Sequence, residues 1–530
     1  MAVLNQGRVL RAVALAGAVV VVAACSNTPA SPGPQAGSLT AAKDQPRIVT
    51  AAEVRTAIGN ATPVALGKPA HGTLTHGPGG TLVYTPTAGW TGSDQVTVTT
   101  SDAVTLAATD IPPLATVGGV AVTGSAYGSA WTAAPGSTTE FYGLTDRGPN
   151  VDGPGGGKVL PVPGFHPQIG KFTLADGKAT LDTAITLTGP DSAPLLGLVD
   201  PRADTGEKLI GIDGAALPTS DHGLDPEGLV ALPDGTFWIS DEYGPFLVHV
   251  DATGKELERL SPFDGSLPRE LSLRTPNQGM EGLTITPDGS TLVGIMQSAL
   301  KTPGLAGDAK SVPLSRIVAV DIATKAVKEY LYPLANPQKT KVAVSEITAL
   351  SPTRFLIDER DGKLEPGADK KIYVADIAGA TDVGPTSTVA GATYRADGGG
   401  LLIGDKPLET LVGVSTDADA TAALKTAGVA VATKTLHVDL GALLTGLNAQ
   451  GKFFGHDKVE GLTTPDGGKT LIISNDSDFG LNGLKSTTPP FALDPKTLPD
   501  GQQDSGEILT VDTTKLPAKT ATATLTFTVG

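Results

Sequence analysis

Cysteine is nearly missing from these 530 residues: there is one, so no internal disulfide can form, and with seven scattered histidines no Cys/His zinc pattern exists. Basic residues are also short, 39 Lys and Arg against 55 Asp and Glu, and a formal charge of −16 excludes nucleic acid as the default partner. Cations suit such a surface better. No Gly-x-Ser-x-Gly elbow follows the amino-terminal segment, and no Gly-x4-Gly-Lys-Ser/Thr phosphate loop occurs, which removes α/β-hydrolase and P-loop chemistry. Aromatic residues are only 4%, whereas 66 Gly and 41 Pro make the composition turn-rich and unlike a helical bundle. At roughly 150 residues per domain, the length allows two to four domains.

The apolar run Ala12–Ala24 follows Arg8 and Arg11 and is too short to span a bilayer comfortably, but it fits a signal-peptide core. It ends in Val22-Ala23-Ala24-Cys25, which resembles a bacterial lipobox. Residues 1–24 are therefore expected to be a lipoprotein signal peptide and Cys25 the lipidated residue. The chain would then sit on the extracytoplasmic face of the cell membrane, held by lipid alone. Residues 25–47, rich in Ser, Pro, Ala and Gly, read as a disordered tether.

From 48 to 110 the sequence alternates apolar and polar residues between turns, as in Thr81-Leu-Val-Tyr-Thr and Gln95-Val-Thr-Val-Thr, which predicts a small all-β unit. Lys68-Pro-Ala-His-Gly-Thr-Leu and Gly89-Trp-Thr-Gly-Ser-Asp resemble bacterial immunoglobulin-like, cadherin-like repeats. A full sandwich usually needs about 100 residues, so this one is expected to be abbreviated or to borrow strands. Asp94 and Asp102 read as turn-stabilising acids, with calcium ligation the other reading.

Across 115–530 a repeat sets the architecture. Asp225-Pro-Glu-Gly-Leu leads through Pro-Asp-Gly to Trp238-Ile-Ser-Asp; Gly279-Met-Glu-Gly-Leu and Val459-Glu-Gly-Leu open similar copies, and Ser345-Glu-Ile-Thr opens a weaker one. The Asp-Gly pairs are hairpin signals. Glu227, Glu281, Glu346 and Glu460 are spaced by 54, 65 and 114 residues, a period that fits propeller blades. The fold class is thus all-β: a β-propeller of six blades, or five, preceded by a small Ig-like β-sandwich. The sixth blade is expected between Leu408 and Leu440, interrupted by a short helix near 416–428.

Inner strands of a propeller line its channel, so these four glutamates are expected to converge at one mouth. Crowded carboxylates need protons, basic partners or a metal, and oxygen-only ligands favour Ca2+, then Mg2+. Asp241 and Asp476 are expected to complete the metal site, with Asp146, Glu242, Asp358, Glu359 and Asp478 on the same rim. Arg147, Arg360 and Lys458 are candidates for gripping phosphate. His222 and His456, each just ahead of a glutamate, are candidate bases alongside Asp241, with exposed loop residues the plainer reading of both histidines.

Tyr142-Gly-Leu-Thr-Asp-Arg-Gly, Asp225-Pro-Glu-Gly-Leu with Trp238-Ile-Ser-Asp-Glu-Tyr-Gly-Pro, Asn277-Gln-Gly-Met-Glu-Gly-Leu, and Lys458-Val-Glu-Gly-Leu with Ser474-Asn-Asp resemble the bacterial phytase-like family, esterase-like activity of phytase. The resemblance implies a propeller and phosphoesterase-like chemistry. Similarity to calcium-dependent propeller phytases would imply a metal-bridged phosphate attacked by metal-activated water. The expectation is a monomeric, lipid-anchored, metal-dependent phosphoesterase acting on a phosphorylated small molecule. The alternatives are a non-catalytic propeller that captures a ligand or envelope partner, and a lactonase-like esterase.

Overall fold

The computed structural model describes residues 38–530, so the signal peptide and Cys25 lie outside the described residues. Five four-stranded antiparallel blades make up the propeller, and their inner strands pack side by side in a closed circuit. Blade 1 starts at Ala130–Ala133, blade 2 at Pro226–Ala231, blade 3 at Met280–Ile285, blade 4 at Ala343–Ala349 and blade 5 at Val459–Thr463. The stretch expected to hold a sixth blade contributes two helices, Leu408–Val412 and Asp417–Thr426, and the outer strand of blade 4, Thr433–Asp439. The insertion is pinned by Glu409, whose carboxylate accepts hydrogen bonds from buried Arg316 at 2.7 and 3.0 Å. At Asp176-Gly177 both residues of the hairpin turn take positive φ, as expected, but at the repeat's Asp-Gly pairs it falls on the glycine alone, as at Gly235 (φ +86°). The aspartate acts through its side chain instead: Thr236 N–H donates to Asp234 Oδ1 at 3.0 Å, and the loop is the three-residue type with glycine in the left-handed position.

Ring closure depends on strands that leave their own neighbourhood. The outer strand of blade 5 is Val104–Thr109, which pairs antiparallel with Glu507–Asp512 and thus reaches across nearly the whole sequence. In return the chain's last strand, Thr520–Val529, expected within the propeller, runs antiparallel to Gly92–Ser101 along its full length. Its alternating Leu525, Phe527 and Val529 fill the small sandwich beside Tyr84, Val96 and Val98, with Phe527 stacked on Tyr84 at 4.0 Å between centroids. The Ig-like unit is completed by this borrowed strand.

Two further stretches depart from expectation. Ser38–Ala41, placed in the tether, is a strand parallel to Thr526–Val529, because Leu39 and Ala41 find apolar neighbours in the sandwich. Ala51–Ile58, inside the region read as all-β, is a helix started by a capping box: Glu53 N–H donates to Thr50 Oγ1, and Thr50 N–H donates to the Glu53 carboxylate at 2.8 Å. Val54, Ala57 and Ile58 give that helix its buried face. Asp94 is structural, accepting from Ala70 N–H, His71 N–H and Tyr84 Oη at 2.9–3.0 Å. No helix among the described residues is long and apolar enough to cross a membrane.

Candidate functional site

The inner strands of blades 2 to 5 each carry a bulge near their start, and strand register decides what faces the channel. Pro226, Met280, Val344 and Val459 occupy equivalent paired positions opposite Asp241, Met296, Glu359 and Asn475. The next residue in each copy is Glu227, Glu281, Ser345 and Glu460. Ser345, not Glu346, therefore holds the glutamate position of blade 4. A one-residue slip sends a side chain to the opposite face, and Glu346 instead accepts from Leu283 N–H at 3.1 Å and Ile347 N–H at 2.9 Å, fastening blade 4 to blade 3. The glycine after the glutamate has its own cause: a Cβ on Gly228 would lie 2.5 Å from Leu283 N of the next blade, and one on Gly461 would lie 2.7 Å from Trp131 N. Glu346→Gln is expected to lower the unfolding midpoint while leaving divalent-cation affinity within about twofold, read by thermal unfolding and calorimetry. A large loss of cation affinity would return Glu346 to the pore.

A pocket of about 320 Å³ opens at the channel mouth, lined by Glu227, Glu281 and Glu460 together with Asp225, Glu242, Arg147, Arg360 and Lys458. Candidate ligand atoms of Asp225, Glu227 and Glu242 lie within 4.8 Å of one another, and all three residues are buried. Burial raises the carboxyl of Glu227 well above the ordinary range, with the charges of Glu281 and Glu242 adding to it. Glu242 is raised well above its usual value by the same causes, burial first and then Glu281. Burial and neighbouring Glu460 push Glu281 up to about 8, and burial outweighs Arg360 to hold Glu460 at about 7. Asp225 Oδ2 and Glu281 Oε2 are buried and accept no hydrogen bond. Buried carboxylates packed this closely are what a hard cation satisfies, so the cluster of Asp225, Glu227 and Glu242 could hold a metal.

The three expected phosphate-gripping residues all face this pocket. Arg147 donates to Glu207 at 3.1 Å and to Asn277 at 3.3 Å, and its Nε lies 3.5 Å from Asp225. Arg360 pairs with Glu460 and donates to Ser345 Oγ at 3.0 Å. Lys458 Nζ reaches Asp476 at 2.9 Å and Asp478 at 2.6 Å.

Other expected site residues fall elsewhere. Asp241 is a turn acid whose carboxylate accepts from Asp225 N–H at 2.8 Å and from Gly244 N–H, so it positions Asp225 without lining the pocket. Asp476 serves as a partner of Lys458 and likewise does not line it. Glu359 turns away to Tyr332 and Lys434. His222 stands at Asp191, 3.0 Å from either carboxylate oxygen, outside the pocket. His456 is fully buried, with Nδ1 2.9 Å from Asp504 and Nε2 3.0 Å from Glu507. Burial alone would lower its pKa, but the two carboxylates override this and lift it to about 9, so the ring is a clamped cation rather than a free base.

Because the folded value lies above the unfolded one of about 6.5, His456 adds stability that is complete below that pH and is lost as pH climbs through 9. Urea unfolding from pH 6 to 10 should show this decline, and His456→Gln should flatten it. An unchanged pH profile in the variant would deny the clamp.

Asp225 was not among the expected ligands. Its signal lies in register: two residues before the glutamate on an extended strand is the same face, and at that offset stand Asp225 in blade 2 and Lys458 in blade 5. Both reach the pocket.

Fold and site together define an all-β, propeller-based protein with an Ig-like domain and an acidic pore mouth. The chain belongs to the phytase-like family, described as esterase-like activity of phytase, whose pattern matches residues 126–479. A bacterial Ig domain pattern matches residues 27–111. An "Uncharacterized secreted protein" of Arthroderma benhamiae is 31% identical over 287 residues, 42% of this chain and 54% of that relative, so the match spans about half the relative's length. Among solved structures, virginiamycin B lyase from Staphylococcus aureus is 12% identical with a TM-score of 0.25, covering 73% of this chain and 96% of that one. A calcium-binding protein, regucalcin, from Agrobacterium tumefaciens is 12% identical, TM-score 0.27, covering 77% and 97%. The periplasmic gluconolactonase of Pseudomonas aeruginosa is 12% identical, TM-score 0.27, covering 66% and 95%.

Proposed function

We propose that the pore mouth binds one hard divalent cation, Ca2+ before Mg2+, on Asp225, Glu227 and Glu242, and beside it the phosphate of a small phosphorylated substrate that the protein hydrolyses. One observation carries this reading: three buried carboxylates whose oxygens lie within 4.8 Å of one another share a pocket with Arg147, Arg360 and Lys458. A cation there would supply Lewis acidity toward a phosphoryl oxygen and toward water. The chain's own residues do the rest. Arg147 and Arg360, each fixed by side-chain partners, present guanidinium groups to a dianion. Lys458 adds charge from the start of blade 5's inner strand, and Glu460, held near neutrality by burial against Arg360, is suited to take up or return a proton. Membership of the esterase-like family and the secreted relative support an enzyme working outside the cytoplasm, and the Val22-Ala23-Ala24-Cys25 sequence is the ground for Cys25 as its lipid anchor.

The test is turnover of phytate, simple phosphate monoesters and lactones by the purified protein, with and without chelator. Chelator-sensitive release of phosphate supports the reading. Turnover of lactones alone gives a carbon-ester hydrolase. Cation uptake with every ester intact gives a binding propeller, which the complete ion pairing of the three basic residues would suit.

A further inference from the structure

A second cavity, of about 630 Å³, lies between the Ig-like unit and blade 5. Three separate stretches wall it: the helix Ala51–Ile58 through Val54 and Arg55, the crossing segment through Leu106 and Ile111, and blade 5 loops through Phe453 and Leu498. The volume is that of a small-molecule site, and such sites favour the seam between two domains, where convex surfaces leave a concavity that neither alone provides. Most of the wall is apolar, so water held there is readily displaced by hydrocarbon.

The polar groups on this wall are unbalanced. Asp110, Asp500, Asp504 and Glu507 line it against Arg55 and Lys452. Arg55 is engaged by Asp176 at 3.2 Å. Asp110 has no hydrogen-bond or ion-pair partner among the described residues, and Asp500 accepts only from Gln502 N–H, at 2.9 Å. Asp504 is fully buried, its Oδ2 accepts no hydrogen bond, and among the described residues its only cations are His456 and, at 3.3 Å, Lys496. Lys496 is itself shared with Asp457 and Asp478 at 2.6 Å each. Glu507 holds His456 through Oε2 and is 23% exposed. Four carboxylates on this wall thus stand against Arg55, which Asp176 engages, and Lys452, while most of the remaining wall is apolar.

We propose that this inter-domain cavity is a binding site for a small amphiphile, an apolar body carrying a cationic amine or quaternary ammonium head. The body packs against Val54, Leu106, Ile111 and Phe453, and the head meets Asp110, Asp500 and Glu507. The site is independent of the pore-mouth reading, because it shares no lining residue with that pocket.

Calorimetry on the purified protein tests it with three probes of one chain length, each below its micelle concentration: decyltrimethylammonium, decyl maltoside and decyl sulfate. The expected result is one decyltrimethylammonium per chain, bound at least about tenfold more tightly than decyl sulfate, which is ~1.4 kcal/mol. Ala121→Trp, at a half-buried position on the wall, is expected to abolish uptake of all three with an unchanged circular dichroism spectrum. Asp110→Asn, at an exposed residue without partners, is expected to weaken the ammonium probe about fivefold and leave the maltoside unchanged, and it stands as the test should the tryptophan variant misfold. No uptake, equal uptake of all three heads, or a cationic preference untouched by Asp110→Asn would each overturn the proposal.

Discussion

Glu227→Gln is expected to cut Ca2+ or Mg2+ affinity about 100-fold, ~2.8 kcal/mol, and to remove phosphate-ester turnover with it. The glutamine keeps the shape of the side chain and removes one anionic ligand from the set formed with Asp225 and Glu242. Burial and the charges of Glu281 and Glu242 already favour a neutral group at this position, so the metal-free variant should unfold no earlier than the parent. That combination separates a ligand from a structural acid: calorimetric cation binding falls while the melting temperature holds or rises. Unaltered binding would place the ion elsewhere.

The second large effect concerns the borrowed strand. Phe527→Ala is expected to destabilise the Ig-like unit by about 3–5 kcal/mol, the usual consequence of emptying a buried aromatic site. Phe527 is fully buried and stacked on Tyr84, whose hydroxyl donates to Asp94, so the vacancy opens at the centre of the sandwich. Hydrogen exchange should show amides of Gly92–Ser101 losing protection, while blade 3 amides, far from the change in strand order, keep theirs. Uniform loss across the chain would mean that the two units unfold as one.

Local patterns carried much of this architecture. Asp-Gly hairpins, Glu-Gly-Leu openings and the helix near 416–428 depend on neighbours in sequence, and all can be read there. Register cannot be read so directly. Ser345-Glu346 looks like one more glutamate copy until the bulge before it is counted, and that single residue separates a pore-facing acid from a seam-fastening one. The helix Ala51–Ile58 was legible in its capping box but was outweighed by the alternation around it. Partnership at long range was illegible. Nothing near Thr520–Val529 tells that its pairing mate is Gly92–Ser101, and nothing near His456 tells that Asp504 and Glu507 will close on it from both sides. The pocket shows the same division: Glu227, Glu281 and Glu460 follow from a repeat and Arg147, Arg360 and Lys458 from the strand ends beside it, whereas Asp225 takes its place through a turn that Asp241 holds.

The exchange of strands also dictates an order of events during synthesis. Ser101 pairs with Thr520 and Val104 with Val511, so two finished amino-terminal strands must wait for almost all of the chain to emerge before either edge is covered. Contacts of such separation form slowly, and exposed edges rich in valine and threonine invite pairing with other chains in the interval. The unfolded protein therefore has its greatest need of a holding chaperone until its last two strands have docked, and its yield should respond to chaperone supply more than its final stability does.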